Sequence, residues 1–418
     1  MGSSGLERRG EKVPEPRYPG QVASPRRLAQ IVGAAVAGAL AVVTAGLVLA
    51  LLGLGLTGKI SSSIPEVLDL VKLGFALVAG VGGTVGLVLA YQRHLIAVEA
   101  GQRENAKEVR EEAKLFNERF GAAAEQVASE QYAVKLAGVY AMATLADDWD
   151  AGRQTCINVL CANLRRGYTT MPSDRDADPD ELLAFADNQE FRHTIIAVIA
   201  TRLREPDSGW HRCNFDFHGT VFDGGDFDGV NFSGGTVSFA SAVFSGGTVG
   251  FVGAIFSGGT VSFDRAAFTG GTVNFDHAAF TSRTVTFNGA AFAGSSIRFI
   301  GAKFTGGTVF FTNASFAGGS VDFNSASFAE GTVGFSNATF AGGRVVFYGA
   351  AFSSGRVTFE FAKFRGSDVT FEAARFTGGT VEFSKVSDFS MPPRFGFRLG
   401  DVPEGVLLPA TPGQASTP

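Results

Sequence analysis

Residues 232–256 read FSGGTVSFASAVFSGGTVGFVGAIF. In this stretch phenylalanine recurs at alternating spacings of seven and five positions, which makes a twelve-residue unit, F-S-G-G-T-V-x-F-x-x-A-x. One series of phenylalanines runs with this period from Phe232 to Phe376, and a second runs from Phe239 to Phe383. Thirteen copies follow one another without a slip, and a fixed short period of this kind is typical of a solenoid.

The residue two positions before each phenylalanine is small or β-branched, as in Val237 before Phe239 and Ala242 before Phe244. Positions i−2 and i share one face of an extended strand, so each short strand should point one small and one large apolar group inward. The glycine pairs between strands are suited to corners. We therefore predict that equivalent phenylalanines stack as core ladders, and the first eleven positions are Phe232, Phe239, Phe244, Phe251, Phe256, Phe263, Phe268, Phe275, Phe280, Phe287 and Phe292.

The A-x-F half of the unit resembles the pentapeptide-repeat family, whose repeat is A-[DN]-[LF]-x-x. The resemblance implies a right-handed, four-sided β-solenoid. This sequence departs from the family by a two-residue insertion at alternate corners, Gly-Thr in most copies. With the order of segments described below, the whole chain resembles membrane-bound pentapeptide-repeat proteins of the actinobacterial type, a resemblance that implies no particular activity.

The length of one coil follows from the period. A 20-residue square coil would lose register with a twelve-residue repeat. A 24-residue coil made of two repeat units keeps register, with sides of five, seven, five and seven positions. A flattened 12-residue coil made of one unit also keeps it, and we favour the coil of two units.

The solenoid with its cap is assigned to residues 210–398. The segment from Asn214 to Phe227 forms the first coil, and the cap begins at Asp388. Residues 399–418 are rich in Gly and Pro and are predicted to be a disordered tail.

The composition agrees with a repeat in which a phenylalanine position recurs many times, since the chain has 40 Phe but only 2 Trp and 6 Tyr among 418 residues. The net charge of −5 gives no strong global field that would favour nucleic acid. The three cysteines, Cys156, Cys161 and Cys213, form no C-x-x-C pair. We expect reduced, mostly buried thiols in a cytoplasmic soluble part, with no disulfide framework and no zinc site.

Two uncharged runs near the N-terminus predict membrane spans. Leu28–Gly58 and Leu73–Tyr91 contain no charged residue, and about 20 residues suffice for a helix to cross a bilayer. We predict a transmembrane hairpin over 28–91, with spans at about 31–56 and 73–91, behind a disordered N-terminus at 1–27. A twin-arginine secretory leader at Arg26-Arg27 is the alternative, but its apolar region would be much shorter.

Charge around the two runs predicts their orientation. Basic residues are concentrated before the first run and after the second, and Lys59 and Lys72 in the connecting loop are offset by Glu66 and Asp69. The positive-inside rule then puts both termini in the cytoplasm of a multi-pass protein of the cell (inner) membrane.

The middle of the chain has helix-forming composition. Residues 92–130 are predicted to form a helical stalk whose apolar residues, such as Leu95, Val98 and Val109, could support a coiled coil and self-association but do not form clean heptads. Residues 131–205 are predicted to be a small helical domain. Asp150 should cap the helix that carries Cys156, and Asp178 with Pro179 should begin the next helix.

Candidate chemistry is sparse. The five histidines are scattered, and His193, beside Arg192, has no second ligand at metal-binding spacing. No nucleophile–base or paired-carboxylate arrangement can be assembled from spacing, and the recurrent Ser-Gly-Gly-Thr lacks the Lys of a phosphate-binding loop. We predict no catalytic residue, no metal and no cofactor.

The sequence leaves three functions to compare. The first is a non-enzymatic, membrane-anchored scaffold or protein-interaction module with an unidentified protein partner. The second comes from the resemblance, since some pentapeptide-repeat proteins mimic DNA and protect topoisomerases. That role needs an acidic surface, yet residues 231–383 hold eight acidic and nine basic residues, a net of about +1. The third, a β-helix hydrolase or lyase, needs clustered acids in a groove built by long loops, which these repeats lack.

Overall fold

The computed structural model describes residues 64–166, 168, 178–281, 284–398 and 401–409, with scattered helical residues between positions 33 and 52. The predicted disordered N-terminus, most of the first predicted span and most of the predicted tail lie outside these residues. The chain divides into two compact units, residues 1–111 and 112–418.

From residue 64 onward, four helices precede the solenoid: α1 (Ile64–Val127), α2 (Tyr132–Asp148), α3 (Arg153–Arg165) and α4 (Pro179–Arg204), followed by a short 3-10 helix (Gly209–Arg212). Asp178 caps α4 as predicted, because its carboxylate accepts a hydrogen bond from the N–H of Asp180 with Pro179 at the first helical position. The prediction for Asp150 was wrong: α3 begins after Gly152 without a side-chain cap, and Asp150 instead pairs with Arg153.

The second predicted span, 73–91, lies within α1. In the part of the chain that the structure describes, no helix is both long enough and apolar enough to cross a membrane. The predicted transmembrane hairpin is therefore not supported by the described residues.

In the described chain, short strands β1 to β29 follow the helices: β1 (Phe215–Asp216), β2 (Val221–Phe222), β3 (Gly225–Asp226), β4 (Asn231–Phe232), β5 (Val237–Ser238), β6 (Val243–Phe244), β7 (Thr248–Gly250), β8 (Ile255–Phe256), β9 (Thr260–Ser262), β10 (Ala267–Phe268), β11 (Thr272–Asn274), β12 (Ala279–Phe280), β13 (Thr284–Thr286), β14 (Ala291–Phe292), β15 (Ser296–Arg298), β16 (Lys303–Thr305), β17 (Thr308–Phe310), β18 (Ser315–Asp322), β19 (Ser327–Ala329), β20 (Thr332–Gly334), β21 (Thr339–Val346), β22 (Ala351–Phe352), β23 (Arg356–Thr358), β24 (Lys363–Phe364), β25 (Asp368–Phe371), β26 (Arg375–Phe376), β27 (Thr380–Glu382), β28 (Arg394–Phe395) and β29 (Val406–Leu407). Each pairs in parallel with the equivalent strand one coil away.

Strand register fixes the length of the coil. Phe268 pairs with Phe244 on one neighbouring strand and with Phe292 on the other, and the other sides repeat the same offset. This confirms the predicted 24-residue spacing and excludes the flattened coil of one repeat unit. The chain makes about eight turns of a right-handed-type β-solenoid. The first coil is shorter, because Phe215 pairs with Val237, two positions before the partner that the later offset would give.

Each coil has four sides. The first side is the nine-stranded sheet that begins with β1 and β5, and the fourth is the seven-stranded sheet that contains β4 and β8. The second side (β2, β6, β10, β14) and the third side (β3, β7, β11, β15) belong to one sheet, because the eight-residue strands β18 and β21 run around the corner between them.

Four ladders of phenylalanine fill the interior. The rings of Phe239 and Phe263 stack with centroids 4.7 Å apart and planes inclined by 5°, and Phe244 stacks on Phe268 in the same way. Across the interior, Phe239 meets Phe251 edge to face at 5.6 Å. Parallel strands lie about 4.7–4.9 Å apart, a distance that also suits offset aromatic stacking.

At several of the glycine pairs a Cβ would have no room. Gly319 has φ +68°, and a Cβ there would lie 2.2 Å from the carbonyl oxygen of Ser295, one coil below. Ser295 itself occupies the equivalent corner one coil earlier and donates its hydroxyl to the carbonyl of Gly270 at 2.8 Å. The insertion relative to an ordinary five-residue side is thus a tight corner packed against the backbone of the preceding coil.

The C-terminal coil extends further than expected. Asp388 forms a bridge with Lys363, β28 pairs with β25, and β29 pairs with β27. The segment assigned to the cap therefore continues the stack, and β29 lies within the segment predicted as a tail.

Replacing Gly319 with alanine should destabilise the solenoid by about 2–4 kcal/mol, because the new Cβ meets backbone and the residue must keep a left-handed conformation. The matched control is Gly246→Ala at the first glycine of the same kind of corner, where no atom lies within 4 Å of a Cβ. Chemical unfolding followed by circular dichroism measures both variants. Equal midpoints for the two would contradict the packed-corner explanation.

Candidate interaction surfaces

The predicted ladder positions lie inside the solenoid. All eleven phenylalanines from Phe232 to Phe292 are at most 2% exposed, and the alanines two positions before them, such as Ala242 and Ala254, are fully buried. These residues shape the coil but cannot touch a partner, so any binding surface must be built from the outward side chains or from the helices.

The helical domain covers the N-terminal end of the solenoid through three arginines. Arg165 donates to the carbonyl of Asp216 in β1 at 2.7 Å. Arg204 donates to the carbonyls of Asp226, in β3, and Asp228 at 3.1 and 2.7 Å.

Arg192 donates a hydrogen bond to β2 in the same way. It is buried, and its two terminal nitrogens donate to the carbonyls of Val221 and Leu164. Carbonyls at the open edge of a sheet would otherwise face solvent or another chain. On three of the four sides of the first coil, a guanidinium group therefore binds a carbonyl at the open edge. The helical domain acts as the cap of the stack.

A polar cluster lies beside Arg192 at the corner after β2. Asp223 accepts hydrogen bonds from Gln189 at 2.8 Å and from a ring nitrogen of His193 at 3.2 Å, and the Tyr168 hydroxyl lies 3.5 Å away. Its side chain is only 10% exposed. The cluster ties α4 to the first coil.

Hydrogen bonds in this cluster favour the ionised form of Asp223. Burial alone would raise the pKa of Asp223, but hydrogen bonds from His193 and Gln189 lower that pKa below its ordinary value. Burial lowers the pKa of Arg192, an effect that neighbouring Asp223 opposes. Because the folded pKa of Asp223 is lowered, its contribution to stability is present above the unfolded pKa of about 3.9 and is lost as pH falls through the folded value.

No group of His, Cys, Asp and Glu among the described residues could hold a metal ion. The three cysteines are free, and burial raises the pKa of Cys156 to about 11 and that of Cys161 to about 12. Thiols with such pKa values are poor nucleophiles at neutral pH.

The first side of the solenoid presents a ladder of uncharged hydroxyl side chains. The strand registers align one threonine from each of five successive coils: Thr236, Thr260, Thr284, Thr308 and Thr332. Only at the next coil does a charge enter, where Arg356 takes the equivalent position. This row is straight and neutral.

The third side differs. Its equivalent row begins with Thr248, Thr272, Ser296 and Ser320 and then becomes charged. Ion pairs link neighbouring coils there: Arg298 with Asp276 at 2.6 Å and Arg344 with Asp368 at 3.8 Å. The first and third sides, each seven residues long, thus have equivalent backbones but differ in the charge of their outward side chains.

The sequence did not reveal the arginine cap or the Asp223 cluster. The available signal was Arg192, beside His193, on the same helix face as Phe191, Ile195 and Ile196, all of which are buried. A second signal was Gly224-Gly225 without the following Thr-Val, which shortens this corner of the first coil.

Arg192→Lys should destabilise the protein by about 2–3 kcal/mol, since one compact ammonium group cannot bridge two carbonyls as a planar guanidinium does. The control is Arg166→Lys at the exposed end of α3, which should change stability by less than about 0.5 kcal/mol. Thermal unfolding at pH 7 compares the two. An unchanged melting temperature for Arg192→Lys would mean that the cap does not depend on this contact.

Comparison with known proteins agrees with this geometry at the start of the solenoid. The model of the family "Pentapeptide repeats (9 copies)" matches residues 217–266. No curated protein and no solved structure matches the chain significantly. The matched segment begins where Phe217, Phe222, Phe227 and Phe232 follow one another at five-residue spacing, before the insertions start. In this segment the solenoid is similar in sequence to pentapeptide repeats, and the later coils keep the inward A-x-F pattern.

Proposed function

We propose that this protein is a non-enzymatic scaffold that presents the β-solenoid to a protein partner. The observation that carries the proposal is the neutral hydroxyl row of the first side, which extends over five coils on a rigid, regular stack. Aligned Thr side chains offer methyl groups and hydroxyl groups at one repeat distance without charges that need desolvation. Such a surface suits docking of another protein by shape and short hydrogen bonds.

The other functions are less favoured. DNA mimicry requires a continuous acidic surface, whereas Asp276 and Asp368 on the third side are paired with arginines. A glycosidase of the β-helix kind requires two carboxyl groups facing one cleft. The resemblance to pentapeptide-repeat proteins also favours a non-enzymatic role.

Membrane attachment is part of the proposal. The uncharged runs Leu28–Gly58 and Leu73–Tyr91 and the basic residues around them support an inner-membrane protein with both termini in the cytoplasm. The resemblance to membrane-bound pentapeptide-repeat proteins of the actinobacterial type is part of the same proposal.

Docking through the first side is tested with the full chain as bait. Thr284→Arg with Thr308→Arg should reduce the captured partner by at least about tenfold, because two charges enter the centre of the contact. The matched control is Thr272→Arg with Ser296→Arg on the third side. Arg356 and Arg344 occupy equivalent positions in later coils, so arginine is compatible with both rows. Equal capture by both double variants, or no specific partner at all, would contradict docking through this side.

Membrane attachment is tested separately. Alkaline carbonate extraction of membranes should leave the full chain in the pellet, because an integral helix is not released when ionic contacts are lost. Ala79→Asp with Val85→Asp, which lie on either side of the middle of the second span, should shift protein to the supernatant, since a charge at the centre of a span costs about 2.5–3.5 kcal/mol. Complete release of the unmodified chain would refute the spans.

A further inference from the structure

A cavity of about 390 Å³ lies where the C-terminal end of α1 meets α2, α3 and α4. Val127 at the end of α1 and Phe191 in α4, both buried, form part of its wall. Its polar lining comes from three helices: Lys135 near the start of α2, Asn163 in α3, Arg166 directly after α3, and Asn188 in α4. Pockets that bind small molecules measure about 300–1,000 Å³, so this cavity has room for a small ligand.

The cavity holds positive charge without a counter-charge. Both of the charged side chains that line it, Lys135 and Arg166, are basic. In the part of the chain that the structure describes, no carboxylate forms an ion pair with either of them. The next arginine along α3 differs in this respect, because Arg165 pairs with Asp216 at 2.8 Å. The two cations of the cavity are therefore available to an anion from outside the chain.

Lys135 is held partly out of water. Its side chain is half-buried, and its ammonium nitrogen lies 4.3 Å from the ring centroid of Phe191, which is 3% exposed. Contact with a ring face stabilises the cation but leaves its three N–H donors without an oxygen acceptor. Asp187 and Glu190 flank Asn188 on α4 but lie outside the cavity lining. A partly desolvated ammonium group is strengthened by an anionic acceptor at hydrogen-bond distance, which favours a negatively charged ligand.

We propose that this cavity binds a phosphate group, carried by a small phosphate ester or by a lipid headgroup. A planar guanidinium such as that of Arg166 can donate two parallel hydrogen bonds to phosphate oxygens, and Lys135 adds a point charge. The amide of Asn163 donates one N–H to the carbonyl of Val159 at 2.9 Å and keeps a second N–H for the ligand. A phosphate ester carries about −1.5 to −2 charges at pH 7, which matches two cations better than the single charge of a carboxylate does.

Titration calorimetry with the full chain in detergent tests the site with inorganic phosphate and glycerol phosphate at pH 7. Both should bind saturably at one site per chain. Arg166→Gln and Lys135→Gln should each weaken binding at least about tenfold, because each removes a charged hydrogen-bond donor. The matched control is Arg119→Gln. Arg119 lines a separate cavity between α1 and α2 and already pairs with Asp148 at 3.4 Å, so its loss should leave the affinity unchanged.

Two results would overturn the proposal. One is the absence of saturable binding at about 10 mM phosphate. The other is equal weakening by Arg119→Gln and Arg166→Gln, which would mean that phosphate responds only to the overall charge of the helices. Melting of each variant without phosphate keeps loss of the fold apart from loss of the site, and Arg166 is exposed, so its replacement should leave the fold intact.

A soluble short-chain lipid, dioctanoyl phosphatidic acid, distinguishes the two sources of the phosphate group. Tighter binding of this lipid than of glycerol phosphate, lost in Arg166→Gln, would identify a lipid headgroup as the ligand. Equal or weaker binding would identify a free phosphate ester. The site is independent of what the first side of the solenoid binds.

Discussion

The stacking of identical side chains at one repeat distance is the constraint on which the solenoid depends. Phe340 lies 4.6 Å from Phe364 and Phe316 lies 4.7 Å from Phe340, with nearly parallel rings. Stacked rings at this separation match the spacing of parallel strands, so aromatic contact and backbone hydrogen bonding are satisfied together. A residue of another size in one layer would disturb both neighbouring layers, and the thirteen repeats follow one another without an insertion or deletion.

Because the stacked interior is regular, the sequence varies mainly at the corners and in the rows of outward side chains. From Ser241 to Ala373 the second residue after V-x-F adopts a left-handed conformation, and this position holds Gly253 and Gly289 in some coils but Arg265 and Phe361 in others. A bulky residue in that region costs free energy, and the rigid coils on either side hold it in place. The outward rows are freer still, so the first side stays neutral over five coils while the third becomes charged.

The sequence predicted the periodic part of the fold and little of its ends. Alternating spacings of five and seven between phenylalanines narrowed the coil to one or two repeat units, because only those lengths keep the pattern in register, and the favoured coil of two units is the one observed. Asp178 and Pro179 likewise carried a local signal that the structure confirms. The same kind of signal at Asp150 led to a wrong prediction, because its carboxylate pairs with Arg153 and leaves the helix uncapped. The arginine cap could not be predicted, since its acceptors are backbone carbonyls that every residue possesses.

The arginine cap and the phenylalanine ladders meet different physical requirements. Each inner coil has its backbone groups satisfied by the coils before and after it, but the first coil has an open edge that could pair with a strand of another molecule. The helical domain closes that edge with guanidinium groups, which carry five donors in a fixed plane and can reach two carbonyls at once. Hydrophobic residues alone could cover the end but would leave the carbonyls without partners in a dry interface. Arg165, Arg192 and Arg204 therefore belong to the solenoid as much as the phenylalanines do, although they lie on helices outside the repeat.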